Sequence, residues 1–134
     1  DTVISDNPTL NIRSWKGINP IRIVIDLKND LKKTYNVFNS QANTIKITDK
    51  SIENNKSLST EVSNFLFEKK IQSLIIEGGK KTLQEFIQNN LWDEARIFTN
   101  KKKMNKGLKA PNINGKIISE KIIDNDKLEI IRPN

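Results

Sequence analysis

Residues 71–91 restrict the fold of this chain more than any other stretch. Leu74-Ile75-Ile76 is a short continuous apolar run, the pattern of a strand buried on both faces of a sheet. Glu77-Gly78-Gly79 ends it, and Lys80-Lys81-Thr82 open a helical pattern at Leu83, Phe86, Ile87 and Leu91. A buried strand, a tight glycine turn and a helix start place free backbone N–H groups and a positive dipole end at the C-terminal edge of a sheet. Open α/β sheets hold anionic ligands at that edge. The plainer alternative is that Gly78-Gly79 only lets the chain turn sharply, since the motif is not a full G-x-G-x-x-G.

The flanking segments extend this unit into an α/β pattern. Thr2-Val3-Ile4 reads as a short strand, followed by a turn at Ser5-Asp6-Asn7-Pro8. Leu10, Ile12 and Arg13 follow, then a loop to Pro20. Arg22 to Asp26 is a clear strand, Tyr35 to Phe38 a shorter candidate, and Thr44 to Thr48 alternates as a strand should. Ser57 to Lys70 reads as an amphipathic helix with Leu58, Val62, Phe65 and Leu66 inward and Ser57 or Ser59 as N-cap. The second helix should end near Asn89-Asn90, before a strand at Ala95 to Thr99. Lys116 to Ile123 and Lys127 to Arg132 flank Asp124-Asn125-Asp126, a hairpin with a three-residue turn. Strands alternating with two helices and closed by a C-terminal antiparallel hairpin predict an α/β mixed sheet in a single domain over residues 1–134.

The side-chain inventory narrows the chemistry. The 134 residues include no cysteine and no histidine, which excludes a disulfide framework, a thiolate metal site, a histidine triad and a cysteine protease. A zinc hydrolase is excluded on the same ground. Carboxylates, Lys and Arg, hydroxyls and backbone amides remain. They suit a reaction whose hard step belongs to a bound cofactor, such as hydride transfer from a reduced nicotinamide. The net charge of +7 comes mostly from dispersed lysine. Lys101-Lys102-Lys103 with Lys106 is the one cluster, and no aromatics interleave it as a single-strand platform needs. A solvated loop is favoured over a nucleic-acid surface. No apolar run approaches membrane-spanning length, so a soluble, intracellular protein without membrane partners is expected.

Several residues could carry a site, each with an ordinary structural alternative. Arg13 can clamp a phosphate or carboxylate bidentately, or form a surface ion pair. Asp6 can orient a ligand, or serve the turn before Asn7-Pro8. Glu77, at the end of a buried strand, must find partners or shift its pKa, and is the best single candidate. Asp93-Glu94 is better explained by capping or surface pairing. Trp15 and Trp92 are better explained by core or rim packing than by ligand stacking.

In order along the chain, four motifs resemble riboflavin-biosynthesis pyrimidine reductases. Residues 2–13 are similar to their T-V-x-x-D-D/N-P-x-L-x-x-R segment, and residues 19–26 to the N-P-x-R-I/V-V-I/L-D strand that follows it. Ile75 to Gly79 with Thr82-Leu83 resembles their E-G-G helix entry, one residue longer at Lys80-Lys81 than the usual spacing. Leu91 to Phe98 resembles their L-x-D-E strand. The resemblance implies a dihydrofolate-reductase-like mixed sheet flanked by helices. It also implies cytoplasmic, NADPH-dependent reduction of 5-amino-6-(5-phosphoribosylamino)uracil to the ribitylamino product, with hydride delivered to C1′ of the ring-opened imine.

By motif position, Thr2 and Asp6 would meet the cofactor, with Asp6 close to the reacting carbon and so, with Glu77, catalytic. Leu10, Arg13 and Glu77 would hold the substrate, Arg13 at its phosphate. Gly78, Gly79, Lys80, Lys81, Thr82 and Leu83 would carry the cofactor phosphates. The resemblance further implies a homodimer and a possible fused N-terminal zinc deaminase domain. The family's S-L-D-G portion is not in this sequence, so the isolated chain is expected to have little or no reductase activity. Two other readings stay open: a folate or pterin reductase of the same fold, and a non-catalytic basic module for phosphorylated ligands or nucleic acid.

Overall fold

A computed structural model describes residues 2–53, 55–102 and 106–134 of the chain. It divides into two compact units, Asp1–Leu74 and Ile75–Asn134.

The first unit is built on a parallel strand pair, β1 (Arg22–Ile25) and β2 (Thr44–Ile47), in the register Arg22↔Thr44 to Ile25↔Ile47. A short helix α1 (Thr2–Asp6) precedes the pair and α2 (Leu58–Glu68) follows it. Val24, Val37, Ile47, Val62 and Leu66 are its buried apolar residues, and Leu58 and Phe65 are half-buried. Ser57 caps α2, its hydroxyl accepting the Thr60 N–H. The buried Glu61 carboxylate accepts the backbone N–H groups of Glu53, Asn55 and Lys56, each at 3.1 Å, and so ties the preceding loop to the first turn of α2. At the other end Lys70 takes φ 60°. Its N–H reaches the Phe67 carbonyl and the Ile71 N–H reaches that of Leu66. These are the paired bonds of a Schellman motif.

The second unit opens on an irregular segment and continues through α3 (Lys80–Gln88), β3 (Ala95–Asn100), β4 (Lys116–Ile123) and β5 (Asp126–Arg132). The three strands form an antiparallel sheet in the order β3-β5-β4, and Phe86, Leu128 and Ile131 are buried. Helix α3 ends as α2 does, with Asn90 at φ 53° and the Leu91 N–H on the Phe86 carbonyl. The hairpin pairs Ile123 with Asp126, so its loop is the two residues Asp124-Asn125 rather than three. Asp124 supplies a φ of 52° that lets the chain reverse within so short a loop.

Three expected strands are absent. Thr2-Val3-Ile4 lies in α1, despite its β-branched residues, because the Asn7 N–H closes a helical turn onto the Val3 carbonyl and no described strand pairs with it. Residues 36–38 form a 3₁₀ turn that buries Val37 completely. Leu74-Ile75-Ile76 belongs to no helix or strand and pairs with no described strand, and Ile75 is 84% exposed. A continuous apolar run becomes a buried strand only when neighbours occupy both its edges. Among the described residues the strand pairings of the two sheets do not include this run.

Gly115 shows how closely the second sheet is packed at its end. A Cβ there would sit 2.3 Å from the Arg132 carbonyl oxygen and 2.8 Å from Ile131 Cγ2. Gly115→Ala is therefore expected to cost about 1–3 kcal/mol through overpacking, read as a lowered urea midpoint with an unchanged m-value.

Candidate functional site

The candidate residues fall into two groups, one in each unit. In the first, Thr2 begins α1 and Asp6 ends it, half-buried and exposed respectively. Asn7 and Leu10 then adopt φ of 42° and 50°, left-handed values that Asn tolerates and Leu rarely takes. This conformation is held by polar straps. The Asn36 N–H donates to Asn7 Oδ1 at 2.7 Å, and Asn36 Nδ2 donates to the Asn7 carbonyl at 3.1 Å. The Ile12 N–H donates to Asn19 Oδ1 at 2.9 Å, while Asn19 Nδ2 donates to the Gln41 carbonyl at 2.9 Å. Arg13 follows this fixed backbone. It is exposed and makes no hydrogen bond or ion pair among the described residues. The surface ion pair considered as its alternative role is therefore not formed there.

Arg22, which the motif reading left without a role, is the least expected residue of this group. It is 2% exposed. Its Nη1 donates to the carbonyls of Thr9 (3.1 Å) and Asn36 (3.3 Å) and to Asn39 Oδ1 (3.0 Å). Its Nη2 donates to the carbonyls of Asn39 and Ala42. Nε alone has no partner. A signal was present in the sequence: strand alternation puts residue 22 on the same face as Val24, where a cation is out of place unless it is fully hydrogen-bonded.

The other end of β1 carries the buried Asp26. Its carboxylate accepts the N–H groups of Asp30 (3.2 Å) and Leu31 (3.1 Å) and pairs with Lys46 at 3.1 Å. Burial pushes this carboxyl up, but the bonds from Leu31, Lys46 and Asp30 outweigh it and hold the group below the ordinary aspartate value.

In the second unit the glycine turn and helix start form as expected. Gly79 is the N-cap of α3, with no side chain bonded to the first turn. The N-cap residue thus leaves the N-terminal amides uncapped, and exposed Lys80 and Lys81 add positive charge at the same end. A Cβ on Gly78 would lie 2.7 Å from Thr82 Cβ, so the turn closes against the helix at a distance only glycine permits. Thr82 and Leu83 are half-buried. Glu77 differs from expectation. It is exposed and ends no paired strand, so burial cannot be what makes it special.

The remaining candidates are structural or peripheral. Glu94 pairs with Arg96 at 3.0 Å and Arg132 at 3.5 Å. Hydrogen bonding from Arg96, opposed by partial desolvation and reinforced by Arg96's charge and by Arg132, holds its carboxyl below the usual glutamate range. Trp92 is half-buried, but Trp15 is 79% exposed and packs in no core. Lys103 of the lysine cluster lies outside the described residues. Among the described residues no helix is long and apolar enough to cross a membrane.

Comparison with known proteins bears on both groups. The family model described as the RibD C-terminal domain matches residues 1–102. A 2,5-diamino-6-ribosylamino-4(3H)-pyrimidinone 5′-phosphate reductase of Aquifex aeolicus is 31% identical over 73% of this chain and 52% of its own. The riboflavin biosynthesis protein RibD of the same organism is 28% identical over 91% of this chain and 39% of its own. The chain thus spans about half or less of the length of these relatives. Among solved structures, a deaminase/5-amino-6-(5-phosphoribosylamino)uracil reductase of Thermotoga maritima matches with a TM-score of 0.83 at 28% identity. That match covers 99% of this chain and 43% of the other. The α/β, dihydrofolate-reductase-like fold implied by the motifs is the fold of this chain.

Proposed function

Because this chain belongs to the RibD C-terminal domain family, we propose that the protein containing it reduces a ribosylaminopyrimidine 5′-phosphate to the ribitylamino product with NADPH, in riboflavin biosynthesis. The observation that carries this reading is the start of α3. Gly78 packs against Thr82 with no room for a side chain, and the N-cap Gly79 leaves the first amides of the helix uncapped beside Lys80 and Lys81. Such an N-terminus suits the phosphates of a dinucleotide. Gly78, Gly79, Lys80, Lys81, Thr82 and Leu83 would hold them, with Thr2 and Asp6 serving the rest of the cofactor. When bound, a reduced nicotinamide supplies the hydride that C1′ accepts.

The chain's own residues do the positioning. Arg13, free of protein partners among the described residues, grips the sugar phosphate, and Leu10 lies against the substrate. Asp6 and Glu77, both exposed carboxylates, orient the reacting group and its hydroxyls. Whether the ring is the uracil or the diaminopyrimidinone is a real choice, since the Thermotoga and Aquifex relatives bear one name each. We favour the uracil. The same reading carries a homodimer, a cytoplasmic location and a fused zinc deaminase domain. The last is supported by a bifunctional relative of whose chain only 43% is matched.

The test is NADPH oxidation by the full-length protein, with each ring form supplied separately. The uracil form should turn over faster, and Gly78→Ala should weaken NADPH binding by about tenfold or more through loss of the close turn. Faster turnover of the diaminopyrimidinone would reverse the ring assignment. Absence of turnover with either form, or turnover of dihydrofolate instead, would end the reading. Steeply salt-dependent nucleic-acid binding without any NADPH response would replace it with the binding-module alternative.

A further inference from the structure

We propose that Arg22 is a positioning residue for this reaction. From the interior of the first unit it sets the loop 7–13 that presents Leu10 and Arg13 to substrate. The proposal rests on the reductase reading given above.

Arg22 is buried to 2% exposure and makes no ion pair among the described residues. Burying a guanidinium without a carboxylate is unfavourable unless its donors are satisfied, so apolar filling would serve the core alone better. What the guanidinium adds is a rigid planar fork of donors. Its two terminal nitrogens reach three separate chain segments: Thr9 in the loop, Asn36 and Asn39 in and after the 3₁₀ turn, and Ala42 before β2.

Asn36 acts as a relay. Its carbonyl accepts from Arg22, while its N–H and its Nδ2 hold Asn7 at 2.7 and 3.1 Å. The fork therefore grips the loop directly at Thr9 and indirectly at Asn7. Between Asn7 and Arg13 lies Leu10 at φ 50°, a conformation that an untethered leucine leaves readily. Arg22 touches no ligand-facing atom itself and acts through the backbone it holds.

The experiment compares Arg22→Lys and Arg22→Met with wild type in the full-length protein. It reads amide hydrogen exchange residue by residue together with steady-state kinetics. Lysine keeps the charge but loses the fork; methionine keeps the bulk but loses both. Exchange at the amides bonded in or across the loop, Asn7, Ile12 and Asn36, should rise about tenfold or more in both variants while Val24, Ile47 and Val62 keep their wild-type protection. KM for the sugar phosphate should rise about tenfold with kcat changed far less, since a displaced anchor weakens binding before chemistry.

Should neither variant fold, Asn36→Ala removes the side-chain strap on Asn7 and leaves Arg22 and the core in place. It should shift both readouts in the same direction. An equal rise in exchange across β1, β2 and α2 overturns the proposal, because Arg22 would then be merely a core residue. So does a loosened loop with unchanged KM. A wild-type protein without turnover sinks the reductase reading instead. Faster exchange confined to Asn7, Ile12 and Asn36 would then still establish the hold of Arg22 on the loop, and uniform exchange would refute it.

Discussion

Arg13→Ala in the full-length protein is expected to raise KM for the ribosylamino phosphate roughly 10- to 100-fold, the equivalent of about 1.5–3 kcal/mol for a hydrogen bond to a charged group. NADPH affinity and melting temperature should stay at their wild-type values. The selectivity follows from what surrounds the side chain. Arg13 is exposed and has no protein partner among the described residues, so its removal breaks nothing in the fold. The backbone that delivers it is fixed independently, through the Ile12 N–H on Asn19. Arg13→Lys should recover only part of the loss, because a lysine cannot reproduce the bidentate fork. Steady-state kinetics at saturating NADPH, paired with a thermal melt, checks both halves. A large fall in melting temperature, or a KM unchanged by the alanine, would remove Arg13 from the site.

Asp26→Ala is the substitution expected to destabilise the first unit most, by about 2–4 kcal/mol. It strands the N–H groups of Asp30 and Leu31 and leaves Lys46 without its partner. The acid dependence has a definite sign. The folded-state pKa of Asp26 lies below its ordinary value. The native state therefore favours the ionised form, and its contribution is complete above the unfolded pKa of about 3.9. It is lost as pH falls through the lower folded value. A plot of melting temperature against pH should drop for wild type below about pH 4. Asp26→Asn should start lower at neutral pH and converge on wild type in acid. Parallel curves would show that Asp26 does not carry the acid sensitivity.

Much of this molecule was legible in its sequence where local chemistry decides. Ser57 before an amphipathic run and Gly79 before Lys80 each fix a helix start without help from distant residues, and the apolar centres of β1 and β2 mark two strands that find each other. The readings that failed concern partners the sequence does not display. Leu74-Ile75-Ile76 has the composition of a central strand, yet a strand exists only with a neighbour, and none of the described strands pairs with it. Thr2-Val3-Ile4 has β-branched residues that favour extension, and a single turn closed at Asn7 overrides them.

The site shows the same division. The glycine turn and Arg13 were legible as motifs with a role attached, whereas Arg22 stood in a motif without one. Its value depends on carbonyls 13 to 20 positions away, and only folding brings them together. Glu77 erred in the opposite direction, since its burial was inferred from a strand that does not form.

The two ends of β1 answer differently to acidity. The acceptors around Arg22 are neutral carbonyls and one amide oxygen, so no carboxylate in that knot is lost to acid, whereas the clasp at Asp26 loosens once its carboxylate is neutralised. Acid should therefore unravel this strand from its C-terminal end toward its N-terminal one. The loop proposed to face the substrate, moored at the end without a carboxylate, would be among the last parts of the first unit to lose its shape.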